Sequence, residues 1–119
     1  VVEKADDRIT AFPPREKFLA GVEAMLSELQ QGLFDRAATA RDEATTTIDD
    51  LGTFTEFFAE GTPGGLAHCH FVDGPEMEAK LKELKVTARC VPVDGPAESG
   101  KCIFTGQPSE RRAVFSRAY

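Results

Sequence analysis

The chain has 119 residues, 41% hydrophobic and 29% charged, a length and balance that suit one globular domain with a core and exclude a wholly disordered chain. Its net charge of −6 is uneven: residues 1–60 hold six Lys/Arg against thirteen Asp/Glu, and residues 61–119 hold eight against seven. An acidic first half repels phosphate backbones, which makes it a poor nucleic-acid surface.

Three cysteines, an odd number, suit a reducing compartment better than a disulfide framework, and the cytoplasm is the expected location. No apolar run approaches the length of a membrane span. The chain starts VVEKADD, without a Met and without a visible signal peptide, so a piece of a longer polypeptide is expected.

Val1-Val2 and Ile9 to Phe12 flank the polar turn KADDR. They read either as two strand ends or as a connector from a preceding domain. Pro13-Pro14 then suits a helix start. From Arg15 to about Glu43 the apolar residues Phe18, Val22, Leu26, Leu29, Leu33, Ala37 and Ala40 recur in steps of three and four. That spacing predicts one long amphipathic helix, weakened near Gly32 by about 1 kcal/mol relative to alanine. Packing is its expected role, with a partner groove as the alternative.

The β-branched run Thr45 to Ile48 ends the helix and suits a short strand. Asp49 or Asp50 can cap a second helix, whose Leu51, Phe54, Phe57 and Phe58 share one apolar face. Gly61 to Gly65 breaks the chain. Leu66 to Val72 reads as a strand. Gly74-Pro75 starts a third helix with Met77, Leu81 and Leu84 as its buried stripe. Val86 to Val93 reads as a strand that buries Cys90 as a small apolar residue. Lys101 to Phe104 reads as another, and Arg112 to Tyr119 as the last. Helices come early and strands late, so the expected class is α+β: a long amphipathic N-terminal helix and two shorter helices packed on a small, mostly antiparallel sheet.

The last third holds all three cysteines and both histidines. A closed structural zinc site wants four Cys or His ligands, commonly as two short-spaced pairs. Here Cys69 or His70 could open the first pair, but Met77 stands where it would close. Cys102 could open the second, but Thr105 stands where it would close. A thioether is neutral and a Thr hydroxyl keeps its proton near pH 7, so neither replaces a thiolate. The expectation is the shape of a zinc-binding domain without the zinc. Cys69 stands between His68 and His70, but neighbours on a strand point to opposite faces, which disfavours a Cys–His dyad. No P-loop, GxGxxG or HExxH is present. Tyr119 ends the sequence flush with the last strand, which suggests a docked end.

The runs REKFLAGVEAMLSELQQGLFDRA, TIDDLGTFTEFF, EAKLKELKVTARCVPVDG and GKCIFTGQPSERRAVFSRAY together resemble the C-terminal region of archaeal- and eukaryote-like prolyl-tRNA synthetases. The resemblance covers nearly all of residues 15–119. It implies a domain over 15–119 and a connector over 1–14 leaving an anticodon-binding domain. It implies a parent class II enzyme that activates proline with ATP and Mg²⁺, transfers it to proline-specific tRNA and forms a homodimer. The catalytic and anticodon-binding domains would be this domain's partners within one chain. By the same resemblance Tyr119 points its carboxylate toward the active site. The four family ligands fall at Cys69 or His70, Met77, Cys102 and Thr105, and the segment from His70 to Met77 is longer than the family's tight gap. Cys90 is not a ligand there. The fragment alone is expected to be inactive. A different reading is a freestanding RNA-binding module that uses Lys101, Arg111, Arg112 and Arg117, although no aromatic row interleaves with them. A thiol redox module would need a CxxC, which is absent.

Overall fold

A computed structural model describes residues 13–118; the strand ends read at Val1-Val2 and Ile9 to Phe12, and Tyr119, lie outside the described residues. The chain divides into two compact units between Thr39 and Ala40. Helix α1 (Arg15–Glu43) runs the length predicted from its periodicity. Its first helical bond is made by Phe18 N–H to Pro14 C=O, 2.9 Å, and Gln31 supports it by donating to Asp35 one turn on, 2.7 Å. None of its residues is buried. At its end the Thr45 hydroxyl donates to the Arg41 carbonyl, 2.6 Å, satisfying one of the orphan acceptors of the last turn.

The second unit is a four-stranded sheet in the order β1-β2-β6-β3, with strands β1 (Thr45–Thr47), β2 (Leu66–His70), β3 (Val86–Cys90) and β6 (Arg112–Arg117). Strands β1 and β2 are parallel, so a crossover must join them, and helix α2 (Leu51–Phe57) serves as that crossover. Asp50 caps α2 by accepting from Thr53 N–H, 2.8 Å. The other pairings are antiparallel, with β6 between β2 and β3. Helix α3 (Pro75–Leu84) opens on Pro75 and closes on Lys85 in the left-handed conformation, φ 56°. A two-stranded hairpin, β4 (Gly100–Lys101) with β5 (Pro108–Ser109), stands apart from the main sheet.

The core lies on one face of that sheet. Ala67 and Cys69 of β2, Ala113 and Phe115 of β6 and Val86 of β3 meet Phe54 and Phe58 of the α2 segment and Met77 and Leu81 of α3. Phe54 is fully buried and is met edge-on by Phe58, Phe104 and Phe115 at 4.9, 5.4 and 5.7 Å. Each such pair adds roughly 0.5–1.5 kcal/mol beyond area burial.

The strands read to Val72 and Val93 stop at His70 and Cys90, and two further expectations differ from the structure. Cys90 is exposed rather than buried, because β3 is an edge strand with only Val86 covered and a bulge between Ala88 and Cys90 shifts its register. The strand read over Lys101 to Phe104 stops at Lys101. Cys102 instead opens a tight turn: its N–H donates to Gln107 C=O and its C=O accepts from Gly106 N–H, both 2.8 Å.

Candidate functional site

The turn from Cys102 to Gln107 is a knuckle. Gly106 takes φ 76°, a conformation glycine adopts without the Cβ clash of other residues, and this folds the chain back over Cys102. Ile103 N–H donates to His70 C=O, 3.1 Å, tying the knuckle to the end of β2. The Cys102 side chain is buried. Burial alone would raise its thiol pKa. Donors from the Thr105 hydroxyl and from the backbone of Phe104, Thr105 and Val72 outweigh burial and hold it below the ordinary thiol value. Thr105 therefore serves Cys102 as a hydrogen-bond donor.

Cys69 and His70 turn to opposite faces of β2. Cys69 is fully buried in the apolar cluster with Met77, and burial pushes its thiol up to about 12, which keeps it protonated near neutrality. His70 is buried on the other face, with Nδ1 3.2 Å from Ser109 Oγ. The Ser109 hydroxyl donates to Arg111 C=O, 3.0 Å, so its oxygen accepts from His70 and the neutral ring carries its proton on Nδ1. Nε2 is buried without a hydrogen-bond partner. The ring packs so closely on Gly100 that a Cβ there would collide with it. Among the described residues no three His, Cys, Asp or Glu side chains gather where a metal could be held. A zinc site needs deprotonated thiolates and imidazoles converging on one point. Cys69 and Met77 face the core, His70 faces away from it, and the Cys102 sulfur accepts from protein donors, so these residues do not fit zinc.

The basic residues divide in two. Arg112 is clamped between Asp49, 2.7 Å, and Glu98, 2.9 Å. Glu98 and then Asp49 strengthen its hold on its proton, and the Arg112 bond in turn lowers the Glu98 carboxyl pKa. Arg117 donates to the carbonyls of Phe58, Ala59 and Thr62, each at 2.9 Å, which closes the C-terminal end of α2. Lys101 and Arg111 are exposed. Arg111 and Arg112 line, with His68, Thr47, Pro92 and Pro96, a cleft of about 400 Å³. Sequence reasoning missed Asp49 and Glu98 as partners of Arg112, since no local pattern links them; only the β2–β6 pairing brings Arg112 beside His70 and across from β1. Ala118 N–H continues the pairing beyond β6 by donating to Lys85 C=O, 2.8 Å. Tyr119 lies outside the described residues.

Residues 54–119 match the family model "Prolyl-tRNA synthetase, C-terminal". The chain is 43% identical over 117 residues to proline–tRNA ligase 2 of Anaeromyxobacter dehalogenans, covering 89% of this chain and 23% of that protein. It is 37% identical over 117 residues to the proline–tRNA ligase of Christiangramia forsetii, covering 98% of this chain and again 23% of the relative. The fold also resembles the crystal structure of the prolyl-tRNA synthetase from Cryptosporidium parvum complexed with halofuginone and AMPPNP, with TM-score 0.76 and 18% identity over 95% of this chain and 24% of that one. The chain thus spans about a quarter of the length of the curated relatives it matches.

Proposed function

The chain belongs to the prolyl-tRNA synthetase C-terminal family, and on that premise we propose that it is the non-catalytic C-terminal domain of a longer proline–tRNA ligase. The observation that carries this reading is coverage: relatives named as ligases align with up to 99% of this chain while it accounts for 24% of theirs. The longer enzyme would use ATP and Mg²⁺ to join proline to its tRNA, would work as a dimer, and would do so in the cytoplasm. Residues 1–14 would be the connector from its anticodon-binding domain and residues 15–119 the domain itself. Catalytic chemistry would lie upstream.

The contribution of this domain is mechanical. It would brace the catalytic domain and place the Tyr119 carboxylate near the reacting groups. The geometry of β6 supports that role. The strand is paired on both sides, Arg112 clamps its start through Asp49 and Glu98, and Arg117 anchors its end on α2. Tyr119 follows Arg117 by two residues in sequence, so the strand that leads to it is held to within two residues of it. Such preorganisation matters because small displacements of a positioning group cost large factors in rate.

The test removes Tyr119 from the longer polypeptide and follows proline-dependent pyrophosphate exchange. A loss of tenfold or more is expected, with the β-sheet unit still folded. Unchanged exchange would remove the tail's role.

A further inference from the structure

Arg89 is the extra residue of the β3 bulge. Ala88 faces Phe115 across the ladder and Cys90 faces Val114, so two steps along β3 oppose one step along β6 and Arg89 stands opposite no residue. Without the bulge, alternation would set Arg89 opposite Val114, on the sheet face away from the core. A bulge re-aims the side chain it carries. Here the guanidinium reaches back toward the end of β6, where its Nη2 donates to Arg117 C=O, 2.8 Å. Arg117 pairs with Val86, three residues and roughly 10 Å of strand away from Arg89.

The same peptide group is held from its other side. Arg117 C=O and Ala118 N–H belong to one planar unit, and Ala118 N–H donates to Lys85 C=O, 2.8 Å. Lys85 is the left-handed residue that turns α3 into β3. Both polar atoms of the 117–118 plane are therefore bonded outside β6, one to each end of the β3 segment. The plane cannot rotate without breaking one of the two bonds. A chain leaving a strand ordinarily frays, and the Arg89 donor acts at the point where the ladder between β3 and β6 has run out.

We propose that Arg89 is a positioning residue for Tyr119: it fixes the peptide plane from which the last step of the chain departs. The proposal rests on the reading of the Tyr119 carboxylate as a group that serves proline activation. With the 117–118 plane held, the only backbone torsions between it and that carboxylate are those of Ala118 and Tyr119 themselves. Without the Arg89 bond the plane can also turn about the Arg117 Cα–C bond, and the carboxylate samples a wider volume. A misplacement of about 1 Å in a positioning group can cost on the order of 100-fold in rate. Arg89 acts through Tyr119 and touches no reacting atom.

Arg89→Met tests the proposal, because methionine keeps much of the stem and has no donor. Arg89 is exposed on an edge strand, so the variant should fold. In the 119-residue chain, amide exchange at Ala118 should quicken by about threefold or more, with the β2–β6 amides unchanged as internal reference. In the longer polypeptide, Arg89→Met should cut proline-dependent pyrophosphate exchange about tenfold. It should cut it no further once Tyr119 has been removed, because a residue that acts through Tyr119 then has nothing left to position. An equal loss with and without Tyr119 would mark a general structural role and overturn the proposal. So would unchanged exchange at Ala118, and so would full activity of Arg89→Met in a polypeptide that loses activity when Tyr119 is removed. No loss on removal of Tyr119 would sink the reading of the tail itself, and the proposal with it.

Discussion

Arg117 gives the sharpest test of how β6 is held. Its guanidinium donates to three carbonyls at 2.9 Å around the end of α2, with Thr62 Oγ1 a further acceptor at 3.3 Å. Replacement by methionine keeps much of the aliphatic stem and removes every donor. The Phe58 residue is buried while Ala59 and Thr62 are half-buried, so water can reach part of what is vacated. We therefore take the lower end of the usual penalty, about 1 kcal/mol per orphaned carbonyl. Arg117→Met should cost about 3 kcal/mol, which lowers the melting temperature by roughly 12–24 °C for a unit of this size. Arg117→Lys keeps a charge but offers a compact ammonium in place of a planar fork, and should recover about 1 kcal/mol of that loss. Thermal and urea unfolding followed by far-UV circular dichroism measure both. A loss below about 1 kcal/mol for Arg117→Met would mean that these bonds do not hold β6 and would return Arg117 to the pool of free basic residues.

Three further outcomes follow from the cysteines. A thiol reagent should label one cysteine per native chain, Cys90, and three in denaturant, since Cys69 and Cys102 are buried; native labelling of Cys69 would contradict the core described for β2. The Cys69 thiol is pushed by burial from 9.0 up to about 12, so above pH 9 the unfolded chain loses this proton first and stability falls as pH rises toward 12. Below pH 9 the group adds no slope, and Cys69→Ala should flatten the alkaline limb of a stability-against-pH curve; an unchanged limb would count against the burial. Cys102→Ala should cost about 1–3 kcal/mol by stranding the knuckle's donors, Cys102→Ser should cost less, and a metal chelator should leave the melting temperature of the wild-type chain unchanged. A chelator-induced drop would restore a metal to the knuckle.

The elements legible in the sequence are those whose causes are local. The long α1 follows from apolar steps of three and four, α2 starts where Asp50 can accept from Thr53, and α3 starts where Pro75 needs no amide partner. A knuckle-and-hairpin unit is legible in the turn-rich run after Gly100, but where the turn starts was hidden because Cys102, Ile103 and Phe104 are all apolar enough for a strand. What bends them is a set of bonds to Gln107, Gly106 and His70, and the last of these crosses from another strand. Cys90 has the alternation of a buried residue, but burial on a strand depends on having a neighbour, and β3 lies at the sheet edge. The two engaged arginines are the same lesson in electrostatics. The Arg117 partner Thr62 is 55 residues away in sequence, and the Arg112 partner Asp49 lies across the sheet on the β1–α2 connection. Their types suggested a basic patch, while the topology gives them structural partners.

The proposed role of this domain is to serve proline activation without performing it. Its most direct test is proline-dependent charging of tRNA by the longer polypeptide, measured with and without residues 40–119, beside the 119-residue chain alone. Charging by the intact polypeptide, loss of charging on removal of the sheet unit, and none from the isolated chain are expected. Full charging after removal, or any charging by the isolated chain, would contradict it.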